Sequence, residues 1–286
     1  MDSQGIVLPP PVYVDVDGER VATYVLEPSG HTDIDVVMCH GTPWSAYVWA
    51  GVAQQIALGR RVFLWDMPGY GQSMVRDAPV DLATQMSRFA VLQSQWGLTR
   101  PHVIAHDIGG AVALGAHLLH GREYASLFLW DIVTLDPWGS PFFRLVADNT
   151  AVFGQLPDPL HAALVREYIA GAARHRLTDY DLDALTRPWL GGAGKAGFYR
   201  QIAALRPEHT RPVAERLSQV RCPTQIGWGA DDPWIPVEQA TQLRDLLPDR
   251  RDPVILDGVG HLAPLEATAA VTRQIEDWLG AVTLPR

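Results

Sequence analysis

The sequence has few cysteines and no apolar run long enough to cross a membrane. Its 286 residues include two cysteines, Cys39 and Cys222. Two cysteines are too few for a disulfide framework or a metal cluster, and both stand at predicted strand ends, so we expect structural thiols. The best apolar stretch, AVALGAHLL, is much shorter than the ~18 residues that span a bilayer. No transmembrane segment is therefore expected.

Clustered basic charge is also missing. The chain has 23 Lys and Arg against 32 Asp and Glu, a formal net charge of −9, and its basic residues form no stripe. This balance argues against a nucleic-acid or anionic-membrane partner. The start, MDSQGIVLPP, lacks the basic and then apolar regions of a secretory signal. We therefore predict a cytoplasmic protein with a small-molecule partner.

Short β-branched or apolar runs alternate with longer helical patterns along most of the chain. Helical spacing of apolar residues is clear over 82–96 and 271–279. The alternation predicts an α/β fold with a mostly parallel eight-stranded sheet flanked by helices. The eight predicted strands are VYVDV, ATYVL, IDVVMC, RVFLW, HVIA, LFLW, TQIGW and PVILD. Because ligands bind beyond the carboxyl ends of such strands, polar residues just after strands are the candidates for function.

The alternation stops after the sixth strand. Residues 137–210 are helical and irregular, with WGSPFF, QLPDP and WLGGAGKAG as loop signals, and the sheet resumes near Cys222. Such an insertion is typical of a lid, which excludes water and sets specificity. The predicted organisation is a core of residues 1–136 and 211–286 with a helical cap of residues 137–210 between its two parts.

Polar motifs follow five of the strands: HGTPWSAYVW, DMPGYGQS, HDIGG, WGADDPWIP and GVGHLAPLE. They give a nucleophile, an acid and a histidine in the order of the α/β-hydrolase fold, which the chain resembles over nearly its whole length outside the cap. The usual GxSxG elbow reads AHDIG here, so Asp107 stands in the place of serine. This change resembles the branch of epoxide hydrolases, haloalkane dehalogenases and fluoroacetate dehalogenases.

The resemblance implies a two-step reaction. Asp107 would attack an sp³ carbon and form an alkyl ester of the enzyme. A neutral His261, oriented by Asp232, would then activate the water that hydrolyses this ester. The backbone N–H groups of Thr42 and Ile108 would form the oxyanion hole. No metal and no organic cofactor is implied.

Each assignment has an alternative. Asp107 could cap a helix N-terminus, and His261 could be a packed histidine. Asp131, at the end of the sixth strand, is a possible alternative acid, because some dehalogenases of this branch carry their acid there. The residues for which a structural role is predicted are His40, His106, Asp66, Asp231 and Asp257.

Leaving-group stabilisation separates the possible substrates. Dehalogenases of this branch hold the halide with N–H donors from the residue after the nucleophile and from the HGNP position. Here these positions are Ile108 and Thr42, so Trp44, Trp138 or Trp189 would have to substitute. The HDIGG motif also departs from the HDRGG of fluoroacetate dehalogenases, so small haloacids are not expected.

An epoxide needs a proton donor for its ring oxygen. Cap tyrosines serve this role in similar enzymes, and Tyr199 in GFYRQI is the candidate here, ahead of Tyr168 and Tyr180. The sequence therefore favours an epoxide hydrolase with an apolar substrate. A haloalkane dehalogenase-like enzyme is the alternative, and a non-hydrolytic enzyme or ligand-binding protein on the same fold is a further one.

Overall fold

A computed structural model describes residues 7–282, except 31–33, 74 and 76. All eight predicted strands form and join one sheet. They are β1 (Val12–Val16), β2 (Glu19–Leu26), β3 (Val36–Cys39), β4 (Val62–Trp65), β5 (His102–His106), β6 (Ser126–Trp130), β7 (Thr224–Gly229) and β8 (Val254–Leu256). The first six residues, part of the segment tested for a secretory signal, lie outside the described residues.

The sheet is mostly parallel, as predicted. Its strand order is β1-β2-β4-β3-β5-β6-β7-β8, with β1, β2 and β4 paired antiparallel and all later pairs parallel. Every residue of β3, β4, β5 and β6 is buried, because helices cover both faces of the sheet centre. This two-sided burial explains why these strands read as continuous apolar runs. Cys39 and Cys222 are both buried free thiols.

Core helices flank the sheet. Asp81 begins α2 by accepting a hydrogen bond from the Thr84 N–H at 3.0 Å. The predicted helical pattern over 82–96 is confirmed, with Trp96 just beyond the helix end. The helices of the core are α1 (Ala50–Ile56), α2 (Leu82–Gln95), α3 (Ile108–Leu119), α10 (Glu238–Leu246), α11 (Ala263–Glu266) and α12 (Thr268–Ala281), with a 3₁₀ helix at Ala46–Trp49.

The segment between β6 and β7, here called the cap, is helical. Its helices are α4 (Pro141–Asp148), α5 (Thr150–Phe153), α6 (Asp158–Ala170), α7 (Asp179–Thr186), α8 (Gly191–Ala204) and α9 (Pro207–Ala214), with 3₁₀ helices at Arg187–Trp189 and Leu217–Gln219. The last of these α-helices crosses the predicted boundary at residue 210 and contacts α2 and α3 of the core. Among the described residues, no helix has the length and apolar character to cross a membrane.

The start of α3 lies very close to the neighbouring strands. A methyl group added to Gly109 would lie 2.4 Å from the His40 carbonyl oxygen, and one added to Gly110 would lie 2.3 Å from Cγ2 of Ile132. Only glycine therefore allows α3 to begin at this depth. The two glycines of HDIGG fix the position from which the residue before α3 projects.

We predict that Gly110→Ala destabilises the protein by about 1–3 kcal/mol, because the added methyl group overpacks the contact with Ile132. Chemical denaturation measures the change. The matched control is Gly280→Ala in α12, where nothing lies within 4 Å of the added atom; it should be neutral or stabilising by about 0.5–1 kcal/mol. Equal stability of Gly110→Ala and wild type would contradict this packing argument, whereas rescue by Ile132→Ala would support it.

Candidate active site

Asp107 occupies a sharp turn between β5 and α3. Its backbone has φ 54° and ψ −129°, a region that residues with side chains rarely adopt. A methyl group added to Gly41 would lie 2.3 Å from Cβ of Asp107. The loop after β3 therefore needs glycine at the point where it comes closest to Asp107. The Asp107 side chain makes no hydrogen bond that caps α3. Asp107 thus holds the N-cap position of α3, but its side chain does not cap the helix.

The buried carboxylate of Asp107 has two different partners. The Thr42 N–H donates to its Oδ1 at 2.7 Å, and its Oδ2 lies 3.1 Å from Nε2 of His261. On the other side of the imidazole, Nδ1 lies 2.8 Å from Oδ2 of Asp232. The structure thus brings together the predicted nucleophile, histidine and acid in one hydrogen-bonded row, with the side chains of His261 and Asp232 excluded from solvent.

The loop after β7 fixes Asp232. Its Oδ1 accepts hydrogen bonds from the N–H groups of Trp234 at 2.7 Å and Ile235 at 2.9 Å, which leaves Oδ2 for His261. Asp131, the alternative acid, instead accepts from the Gly229 N–H at 2.7 Å and makes no hydrogen bond to the histidine. Of the two candidate acids, the structure places Asp232 against the imidazole.

The two predicted oxyanion donors differ in this structure. The Thr42 N–H already binds Asp107, whereas the Ile108 N–H makes no bond to that carboxylate among the hydrogen bonds of the described residues. Both residues line the same cavity in front of Asp107. The Ile108 N–H is therefore a second donor next to Asp107 that makes no hydrogen bond to its carboxylate.

The sequence analysis missed a cap residue that contacts this loop. Oε1 of Gln201 accepts from the Thr42 hydroxyl at 2.7 Å and from the Tyr70 hydroxyl at 3.0 Å. Helix α8 thereby joins the cap to the loops after β3 and β4. No local pattern in the sequence marks Gln201 for this role, because its two partners come from loops about 130 and 160 residues earlier in the chain.

The Asp107–His261 pair stabilises both charges. Burial would raise the pKa of Asp107, but the hydrogen bond and charge of His261 outweigh it, so the pKa of this carboxyl is lowered. Burial would lower the pKa of His261, but the charges of Asp232 and Asp107 and their hydrogen bonds raise it well above its usual value. This differs from the sequence-based expectation of a neutral resting histidine, because two carboxylates rather than one contact the ring.

Two further buried histidines lie beside the site and bind backbone groups, and Nδ1 of His106 has no partner among the described residues. Nε2 of His106 donates to the His261 carbonyl at 2.7 Å, and burial, followed by the charge of His261, lowers the pKa of His106 to about 4. Nδ1 of His40 donates to the Gly41 carbonyl at 2.7 Å, while its Nε2 accepts from the Met67 N–H at 2.8 Å. These contacts agree with the structural role predicted for both residues.

The aspartates outside the row also have local roles. Asp66 accepts from the Ala46 N–H at 2.7 Å and from the Tyr24 hydroxyl at 2.9 Å, which organises the loop after β4. Asp231 forms an exposed ion pair with Arg174 at 3.3 Å. Asp257 lies in the turn after β8.

A small, mostly apolar cavity of about 30 Å³ lies in front of Asp107. Tyr168 and Trp138 of the cap line it, but Tyr199 does not: its hydroxyl lies 2.8 Å from Nδ1 of His161 within the cap. The lining residues are Thr42, Asp107, Ile108, Val133, Trp138, Gly139, Ser140, Phe143, Tyr168, Leu205, Trp234 and Ile235. Trp234 also stacks on Tyr168, with ring centroids 4.7 Å apart.

The three tryptophans considered as halide ligands are placed differently. The Trp138 indole N–H donates to the Thr210 hydroxyl at 3.0 Å, and that of Trp189 donates to the Pro43 carbonyl at 2.8 Å. The buried indole N–H of Trp44 has no partner among the described residues, and its ring stacks on Trp234 at 5.6 Å behind the cavity lining.

Comparisons with known proteins agree with this architecture. A family model described as alpha/beta hydrolase fold matches residues 36–268. The chain is 27% identical over 258 residues to a 2-hydroxy-6-oxononadienedioate/2-hydroxy-6-oxononatrienedioate hydrolase of Cupriavidus pinatubonensis, covering 86% of each chain.

Solved structures extend the likeness. An alpha/beta hydrolase fold protein from Burkholderia ambifaria is 39% identical, with a TM-score of 0.90 over 94% of this chain and 98% of that one. The haloalkane dehalogenase DbeA from Bradyrhizobium elkani is 17% identical, with a TM-score of 0.79 over 94% of this chain and 97% of that one. At that identity, the likeness to the dehalogenase concerns the fold alone.

We predict that the pKa of His261 lies well above the ordinary imidazole value of ~6.5. Asp107→Asn should lower the pKa of His261. The reason is the loss of one of the two negative charges that favour the imidazolium. Histidine ring resonances followed by NMR during a pH titration give both values. His106 is the internal control and should stay neutral in both proteins at pH 6. An unchanged His261 pKa in Asp107→Asn would contradict the assignment.

Proposed function

Because the chain belongs to the α/β-hydrolase fold family, we propose that it is a hydrolase whose nucleophile is the Asp107 carboxylate. The observation that carries the proposal is the orientation of this carboxylate at the elbow. It makes no capping hydrogen bond to the helix it precedes, and it has one oxygen on the Thr42 N–H and the other facing His261. A carboxylate placed in this way suits attack on an sp³ carbon.

In the first step Oδ2 of Asp107 bonds to the substrate carbon, and the bond to the leaving group breaks with its electron pair. Asp107 needs no base for this attack, because its lowered pKa keeps it ionised at neutral pH. Oδ1 stays on the Thr42 N–H and becomes the carbonyl oxygen of the alkyl ester. The mainly apolar lining of the cavity in front of Asp107 suits an apolar substrate, for which the cap has to move to make room.

We assign the proton donor for an epoxide oxygen to Tyr168 rather than Tyr199. Tyr168 lines the cavity with Asp107, whereas the Tyr199 hydroxyl is engaged with His161. Burial and the negative charge of Asp107 raise the pKa of Tyr168, so this phenol keeps its proton until an alkoxide develops next to it. This placement makes epoxide hydrolysis the activity that the site supports best.

The second step depends on a change of charge at Asp107. Ester formation removes the negative charge that helps to raise the pKa of His261. The imidazolium therefore gives up its extra proton more readily; this proton replaces the one that Tyr168 gave to the epoxide oxygen, and the neutral imidazole becomes a base. It then takes a proton from water as the water attacks Cγ of Asp107. The oxyanion forms on Oδ1, where Thr42 and the unengaged Ile108 N–H donate to it. His261 returns the proton to Oδ2 as the bond between Cγ and Oδ2 breaks, which releases the alcohol. The carboxylic acid left at Asp107 then gives its proton to His261, which restores the resting charges.

A haloalkane dehalogenase-like activity is the second candidate. The unpartnered indole N–H of Trp44 favours it, since a buried donor without a partner suits an anion. However, Trp138 and Trp189 have already used their indole N–H groups, and Trp44 lies behind Trp234. Because Tyr168 lines the cavity and Trp44 does not, we place this activity second.

The chemical proposal predicts a trapped ester. With a panel of small epoxides and haloalkanes, His261→Gln should accumulate an alkyl adduct on the peptide that contains Asp107, because the second step lacks its base. Mass spectrometry detects the adduct. Asp107→Asn should lower turnover by about 10⁴-fold or more, and Asp231→Asn, a charge-matched control in an exposed loop, should leave it unchanged. An unmodified peptide in the presence of a confirmed substrate would refute the covalent route.

The donor assignment predicts different effects for two tyrosines. Tyr168→Phe should slow epoxide ring opening by about 10²-fold, because the alkoxide loses its acid. Tyr199→Phe should leave this step nearly unchanged. Stopped-flow measurement of single turnovers isolates the step. A haloalkane that reacts at the same rate in Tyr168→Phe and wild type would show that the loss concerns protonation, whereas a slow Tyr199→Phe and a fast Tyr168→Phe would reverse the assignment.

A further inference from the structure

Asp131 is a buried carboxyl group that the mechanism above does not use. Its side chain is fully inaccessible to solvent, its Oδ1 accepts from the Gly229 N–H, and its Oδ2 has no partner among the described residues. One of its oxygens lies within 4.8 Å of an Asp232 oxygen and of a His261 ring nitrogen. Asp131 therefore forms a second carboxyl group beside a histidine that already has an acid.

The surroundings favour a state in which only one of the two carboxyl groups, Asp131 or Asp232, is ionised. Two carboxylates this close in a buried site repel each other, so one of them takes up a proton. Asp232 receives three hydrogen bonds, from His261 and from two backbone N–H groups, whereas Asp131 receives one. An unpaired oxygen costs far less on a neutral acid than on a buried carboxylate.

We propose that Asp131 carries a proton in the resting enzyme and is a reserve acid that ionises and supports His261 when the Asp232 charge is lost. The reserve role rests on the proposed function; the proton on Asp131 does not. Burial and the charge of Asp232 also raise the pKa of Asp131 well above its usual value, in agreement with this placement. Asp131 acts through His261, so it is a positioning residue.

The backbone explains which side chains can occupy this position. Asp131 has φ 46°, in the left-handed region that aspartate and asparagine tolerate better than most residues. Its N–H donates to the Gly227 carbonyl at 3.0 Å, which fixes the chain just beyond β6. Asp131→Asn keeps this conformation and the acceptor for Gly229 while it removes the acidic proton. Asp131→Gly keeps only the conformation and is the second variant if the first folds poorly.

Infrared difference spectroscopy tests the proton without any substrate. At pH 7, wild type minus Asp131→Asn should give the carbonyl stretch of a protonated carboxylic acid, which shifts in ²H₂O. The same difference taken in the Asp232→Asn background should lack this band, because the neighbouring charge that holds the proton on Asp131 is gone. Asp231→Asn, close in sequence but exposed, should leave the band unchanged. The absence of the band in wild type would overturn the proposal, whatever the reaction of the enzyme.

A double-mutant cycle on turnover tests the reserve role. Asp232→Asn should lose less than the ~10⁴-fold expected for a histidine without an acid partner, and the double variant with Asp131→Asn should reach that loss. Asp131→Asn should therefore cost more in the Asp232→Asn background than in wild type. Equal costs in the two backgrounds would refute the reserve role. Failure of the proposed function would show itself separately, as the absence of an ester on Asp107.

Discussion

The site depends on the position of one carboxylate at a strained turn. Asp107 sits at positive φ between β5 and α3, where Gly41 and Gly109 permit approaches that a methyl group would block. Its two oxygens then have different partners: Oδ1 accepts from the Thr42 N–H, and Oδ2 faces His261. Because the surrounding sheet and helix are buried on all sides, their packing can sustain this costly backbone conformation.

Charge balance links the two halves of the proposed reaction. In the resting site Asp107 and Asp232 both favour the imidazolium form of His261. Alkylation of Asp107 would remove one of these charges and make the ring a better base at the step that needs one. The same reasoning extends to Asp131, which adds no further charge if it keeps its proton. In the proposed scheme Asp107 and Asp232 are ionised and Asp131 is protonated, and each of the three carboxyl groups has its own role.

The cap contributes groups that the core cannot supply. Tyr168 of α6 lines the cavity, and Gln201 of α8 joins the hydroxyl groups of Thr42 and Tyr70. The backbone N–H of His261 also donates to the Ala172 carbonyl of the cap at 2.9 Å. The cap therefore contacts the loop after β3, which binds Asp107, and the loop that carries His261, which suits a segment that closes the site against water.

The sequence alone determined the fold and two residues of the hydrogen-bonded row, Asp107 and His261, and it left two candidates for the acid, Asp232 first and Asp131 second. Strand runs and strand-end motifs have local signals, because buried strands need apolar residues and a sharp turn needs small neighbours. The tertiary structure decided what no local pattern encodes: Asp232 rather than Asp131 contacts His261, Tyr168 rather than Tyr199 lines the cavity, and Gln201 bridges cap and core. These choices depend on how separate loops and helices pack together, and two aspartates or two tyrosines look alike until that packing fixes their directions.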